Sequence, residues 1–82
     1  MTAVQQEVKE FILKEFLPGE KPEALTDSTP LITGGILDSL ATVRLIMFLE
    51  ETYGIELEPH ETGVGYLNTL PEISRLVESR RK

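Results

Sequence analysis

Residues 34–48 read GGILDSLATVRLIMF, and the fold turns on how that stretch is divided. Laid on a helix of 3.6 residues per turn running from Asp38 to Tyr53, its apolar residues separate into two sets. Thr42, Leu45, Ile46, Leu49 and Tyr53 share one face, while Leu40, Val43 and Met47 share another beside Arg44, Glu50 and Glu51. A surface helix of a small domain needs one buried stripe, so the second is either further core or an exposed docking strip. Only two other long helices are available to cover it, which favours docking. A mixture of Leu, Val and Met rimmed by charge suits a surface that meets several partners briefly.

Upstream, Val4, Val8, Phe11, Ile12 and Phe16 recur at helical spacing, with Gln5, Glu7, Lys9, Glu10, Lys14 and Glu15 opposite. This predicts a first helix over residues 2–16, stopped by Pro18-Gly19. A long connection follows, in which Pro22, Pro30, Gly34 and Gly35 forbid a continuous regular element, while Leu25, Leu31, Ile32 and Ile36 can pin the chain to a core. A loop of this length in so small a domain is either functional or a packed spacer between helices. Downstream, Gly54 is placed to end the central helix in the left-handed conformation. The segment IELEPHETGVGYLNT then has room for one short helix near Tyr66-Leu67. Thr69 and Pro71 mark the start of a last helix that carries Leu70, Ile73, Leu76 and Val77 inward and ends in Arg80-Arg81-Lys82, cations that suit a helix C-terminus. No strand alternation or repeat is evident. The expectation is a single all-α domain over residues 1–82, a four-helix bundle of three long helices and one short one with a long first loop.

Composition narrows the function. At 82 residues the chain has room for one modest core and not for a substrate-enclosing cleft beside it. The net charge is -6, and between Leu45 and Ser74 the chain carries Glu50, Glu51, Glu56, Glu58, Glu61 and Glu72 with no Lys or Arg. That disfavours nucleic acid and anionic membranes and favours basic protein partners. With no cysteine there are no disulfides, thiolate metal sites or cysteine nucleophiles, and no metal site is expected. No apolar run approaches the ~20 residues that cross a bilayer, and no charged segment precedes an apolar run at the start, so a cytoplasmic protein is expected.

Asp38 can cap the helix through its carboxylate, leaving Ser39 at the first helical position with its hydroxyl free. Taken alone, Asp-Ser is a capping pair. Nucleophilic catalysis fits poorly, because Ser39 lacks a Gly-x-Ser-x-Gly elbow and the one histidine, His60, stands in a polar loop without an orienting partner. Gly34-Gly35 is no phosphate-binding loop, since no Gly-Lys-Ser/Thr follows; the pair lets the chain turn tightly into the helix. A phosphodiester on Ser39 would lie at the positive end of the helix dipole, where backbone N–H groups favour an anion.

Gly35-Ile36-Leu37-Asp38-Ser39-Leu40, followed by Thr42-Val43 and the run from Leu45 to Ile55, closely resembles the attachment region of acyl and peptidyl carrier proteins. Thr29-Pro30-Leu31 and Leu70-Pro71-Glu72-Ile73 extend the resemblance weakly over the chain. It implies a non-enzymatic carrier in which Ser39, flanked by Asp38 and Leu40, receives 4'-phosphopantetheine from coenzyme A through a phosphopantetheinyl transferase and holds an acyl or aminoacyl cargo as a thioester. It also implies a partner interface of Leu40, Val43, Arg44 and Met47, completed by Val64, Tyr66 and Leu67. That surface would be read by the transferase, an adenylating or loading enzyme and downstream modifying or acyl-transfer enzymes, with the carrier a monomer that neither enters membranes nor binds nucleic acid.

Fatty-acid carriers usually have acidic residues where Ala41 and Arg44 stand, so a basic partner finds less to grip here. Arg44, Pro59-His60-Glu61-Thr62-Gly63 and Tyr66-Leu67-Asn68-Thr69 look more like free-standing aminoacyl carriers of the D-alanyl or prolyl/pyrrolyl kind, and the start at Met suits a discrete protein, as well as a domain cut from a synthetase. The alternatives are a fatty-acyl or polyketide carrier, or a helical adaptor in which Asp38-Ser39 is only a cap.

Overall fold

The computed structural model describes residues 2–81. Helix α1 spans Ala3–Phe16, α2 Ser39–Tyr53, α3 Val64–Leu67 and α4 Leu70–Arg80, with single 3-10 turns at Pro22–Ala24 and Pro59–Glu61 and no strand among the described residues. Three long helices and one short one, joined by a long first loop, make the expected bundle.

Each long helix starts where a side chain replaces a missing backbone partner. Thr2 accepts the Gln5 N–H at 3.1 Å, so the first helix begins one residue later than its periodicity suggests. The Thr69 hydroxyl accepts the Glu72 N–H at 3.3 Å and donates to the Glu72 carboxylate at 3.2 Å. Gly54 ends α2 at φ 65, a left-handed conformation that costs glycine little. Arg80 closes α4 and Arg81 caps it, whereas Lys82 lies outside the described residues.

The core gathers Val4, Val8 and Ile12 from α1, Leu45 and Leu49 from α2, Leu67 from α3 and Leu70, Ile73, Leu76 and Val77 from α4. Leu25 and Leu31 are fully buried and hold the first loop against it, with Ile32 and Ile36 half-buried beside them. Leu37 is buried as well, although it stands outside both stripes of the helical pattern because it precedes the helix. Phe11 of α1 stacks on Phe48 of α2 with ring centroids 4.1 Å apart, so α2 is covered on this flank also.

Part of the acidity between Leu45 and Ser74 is taken up internally. The buried Glu61 carboxylate faces Arg80, with Nη2 at 2.5 Å from Oε1 and Nε donating to Oε2 at 3.2 Å, and it also accepts the Glu58 N–H at 2.9 Å. These donors, Arg80 foremost, hold the Glu61 carboxyl below the usual glutamate range. The Glu50 carboxylate accepts the Leu57 N–H at 3.1 Å, closing the turn after α2. At the far end of the bundle the Tyr53 hydroxyl donates to Glu7 at 2.7 Å, and the Arg81 guanidinium lies 5.3 Å from the centre of the Tyr53 ring. Burial, then the Glu7 carboxylate, push the Tyr53 phenol well above its ordinary value.

Candidate functional site

Asp38 has extended backbone, φ -82 and ψ -173, and its carboxylate accepts the Ala41 N–H at 2.8 Å. Its carbonyl accepts both the Thr42 N–H at 2.8 Å and the Thr42 hydroxyl at 2.7 Å. The cap is therefore filled by the aspartate, and Ser39 stands exposed at the first position of α2. Among the described residues its hydroxyl makes no hydrogen bond.

The two stripes of α2 part as the spacing requires. Leu45 and Leu49 are buried and Thr42, Ile46 and Tyr53 half-buried, while Leu40, Val43 and Met47 are 71%, 51% and 53% exposed. Three large apolar side chains thus stand open in a row on one helix, more than a fully packed surface helix leaves exposed. Arg44 is exposed beside them. Ala41, in contrast, is buried beneath the cap, since it lies one turn before Leu45 on the inner face. Its departure from the acidic pattern therefore presents nothing to a partner, and Arg44 alone carries that difference.

The short helix α3 supplies the opposite wall. Val64 and Tyr66 are 48% and 39% exposed, as the rim reading requires. Leu67 is not part of that rim: it is fully buried and anchors α3 to the core. On a helix of one turn, Val64 and Leu67 are three residues apart and look like neighbours, but packing α3 on α4 turns Leu67 under. The rings of exposed His60 and Tyr66 stand nearly perpendicular, with centroids 6.1 Å apart, consistent with the place of His60 in a polar loop.

Between α2, the loop before it and the residues leading into α3 lies an open groove of about 500 Å³ beside Ser39. Ile32 and Leu37 form its loop wall, Val43 and Ile46 its α2 wall, and Gly63 and Val64 its far wall. No helix of the described residues is long and apolar enough to cross a membrane, and no cluster of histidines and carboxylates among them could hold a metal ion.

The chain matches no family model. It is 30% identical over 82 residues to an acyl carrier protein of Rhodopseudomonas palustris strain TIE-1, covering 99% of that protein, and the same figures hold for strain BisB5. It is 44% identical over 48 residues to a D-alanyl carrier protein of Streptococcus pyogenes serotype M5, which is 58% of this chain and 61% of that protein. The chain thus matches about three fifths of the length of the D-alanyl carrier proteins. A full-length relative at this identity, on a four-helix fold with an exposed serine at the start of its central helix, establishes that the chain belongs to the acyl carrier protein family.

Proposed function

We propose that residues 1–82 form one carrier domain whose Ser39 receives 4'-phosphopantetheine from coenzyme A, and that the domain presents a tethered cargo to other enzymes without catalysing a reaction itself. The observation that carries this reading is the exposed Ser39 hydroxyl at the first position of α2 with the helix cap already supplied by Asp38. The residues present suit such a group. The first-turn N–H groups of α2 favour a phosphate on Ser39, and the groove walled by Ile32, Val43 and Val64 gives the start of an arm a surface to lie against. When bound, the arm supplies a thiol that holds the cargo as a thioester. The protein's own residues do the rest: Asp38 fixes the helix start so that the serine faces solvent, and Leu40, Val43, Arg44 and Met47, with Val64 and Tyr66 across the groove, offer partners a landing surface. Tethering replaces free diffusion by a high local concentration at each partner's active site.

The partners are a phosphopantetheinyl transferase, an adenylating or loading enzyme and downstream acyl-transfer or modifying enzymes. A monomer working in the cytoplasm is the reading that goes with them. An aminoacyl cargo is supported by the higher identity to the D-alanyl carrier proteins over their matched part and by exposed Arg44 in place of an acidic residue. The full-length likeness to acyl carrier proteins favours a fatty-acyl cargo as the second reading. Incubation with coenzyme A and a broad-specificity transferase, followed by intact mass, should add one arm to the protein and none to Ser39→Ala; an arm that persists in Ser39→Ala rejects the site. Loading the modified protein with panels of adenylating enzymes and of acyl-transferring enzymes then separates the two cargo classes.

A further inference from the structure

Asn68, the residue that ends α3, holds the loop that delivers Ser39. Its backbone carbonyl accepts the Leu31 N–H at 2.6 Å, and its side-chain Oδ1 accepts the N–H groups of Ile32 and Thr33 at 2.9 and 3.0 Å. Its amide nitrogen donates to the Thr33 hydroxyl at a longer 3.4 Å. Leu31 in turn accepts the Leu37 N–H at 2.8 Å, and Leu37 directly precedes the capping Asp38. The turn between them is closed by Gly34 N–H to Pro30 at 3.1 Å and Gly35 N–H to Ile32 at 3.1 Å. A Cβ at Gly34 would collide with the Pro30 carbonyl, and Gly35 sits at φ 84, so the turn accepts little other than glycine at both places.

Two connections therefore tie α3 to the loop before the serine: the Asn68 carbonyl through Leu31 to Leu37, and the Asn68 side chain to Ile32 and Thr33. Buried Leu31 and Leu37 anchor the loop, and hydrogen bonding sets its orientation. The Ile32 and Thr33 N–H groups need an acceptor, and a carboxamide oxygen with two lone pairs serves both at once. We infer that Asn68 is a positioning residue that makes the exposed rim of α3 and the Ser39 hydroxyl parts of one body, so that a partner docked on Val64 and Tyr66 meets the serine at a fixed offset. This rests on the reading of Ser39 as the attachment site. Without the side-chain clasp only the Leu31 backbone bond ties the loop to α3, the segment after it is looser, and the serine reaches its reactive geometry less often.

Asn68→Asp keeps the shared acceptor and loses only the long donor bond, whereas Asn68→Ala leaves both N–H groups without it. With coenzyme A and a broad-specificity phosphopantetheinyl transferase, Asn68→Ala should lose about tenfold in kcat/KM and Asn68→Asp about twofold or less. Val8→Ala, a core substitution on α1 compared at a temperature where all variants are folded, should transfer at the wild-type rate. Native-state amide exchange by NMR needs no substitution: in the wild type the amides of Ile32 and Thr33 should open with the same free energy as those of Tyr66 and Leu67. Asn68→Ala transferring as fast as Val8→Ala, Asn68→Asp losing as much as Asn68→Ala, or wild-type Ile32 and Thr33 exchanging freely while Leu67 stays protected would each overturn the clasp. Absence of an arm on wild-type Ser39 removes the attachment reading instead, and the exchange comparison still decides whether Asn68 couples the loop to α3.

Discussion

At position 38 a carboxylate takes the Ala41 N–H that a serine hydroxyl at a helix start commonly takes, and that division of labour leaves the exposed Ser39 hydroxyl free of the cap. The neighbouring apolar side chains follow the same logic, because Val43 is half exposed along the open groove. Val43→Asp should therefore shift stability by no more than about 0.5 kcal/mol, since Val and Asp have similar helix propensity and the carboxylate stays in water. Urea unfolding checks this, and transfer by the phosphopantetheinyl transferase should fall in the same variant by about tenfold if the strip is the docking surface. A loss of several kcal/mol would instead mean a buried, unpaired charge. Ser39, Leu40, Val43 and Met47 were legible from the sequence because spacing on a long helix fixes relative direction. Ala41 was not, since a small residue at a stripe's edge carries no strong hydrophobic signal.

Among the elements, α3 shows where pattern reading fails. One turn is too short for its periodicity to define a face, so Tyr66 and Leu67 read alike although one is exposed and the other wholly buried. Leu67→Ala should cost about 2–5 kcal/mol by opening a cavity under α3, and Tyr66→Ala less than about 1 kcal/mol, as measured by chemical denaturation. The 3-10 turn before α3 is tied to the end of α4 by Glu61 and Arg80, a pairing that no local sequence rule links across their separation. Because the pair depresses the Glu61 pKa in the folded state, its contribution is fully present above the ordinary glutamate value and is lost as pH falls through the lower, folded value. The stability of wild type should accordingly fall more steeply in acid than that of Glu61→Gln, with the difference between the two largest near neutral pH and shrinking below about pH 4. Parallel urea titrations from pH 7 downward test this, and curves that stay equally spaced would remove the linkage. Asp38, Gly54 and Thr69, by contrast, were readable in advance, because each sits where a backbone group has to be satisfied or a left-handed residue placed, whereas the Thr2 cap of α1 and the Glu72 carboxylate on the Thr69 hydroxyl were not.

For the whole molecule the governing fact is a small core asked to keep an apolar strip in water. Chains of this length have total stabilities of about 4–12 kcal/mol, because the fraction of surface they bury is low. Leu49 is fully buried in that core on the same helix that carries Val43 and Met47 outward. The first loop belongs to the same unit, since Leu25 and Leu31 contribute side chains as deeply buried as those of the helices. The bundle should consequently unfold in one step, with loop and helix probes sharing a midpoint. Leu49→Ala should cost about 2–5 kcal/mol, a quarter or more of a total near the middle of that range, and lower the urea midpoint while leaving the slope unchanged. If the slope falls as well, the variant has lost its fixed packing before unfolding, and the exposed strip is then supported by a core with no reserve. Modification of Ser39 in Leu49→Ala at low temperature separates these outcomes, because a folded variant keeps α2 and its cap intact and should accept the arm at the wild-type rate, whereas a loosened one should not.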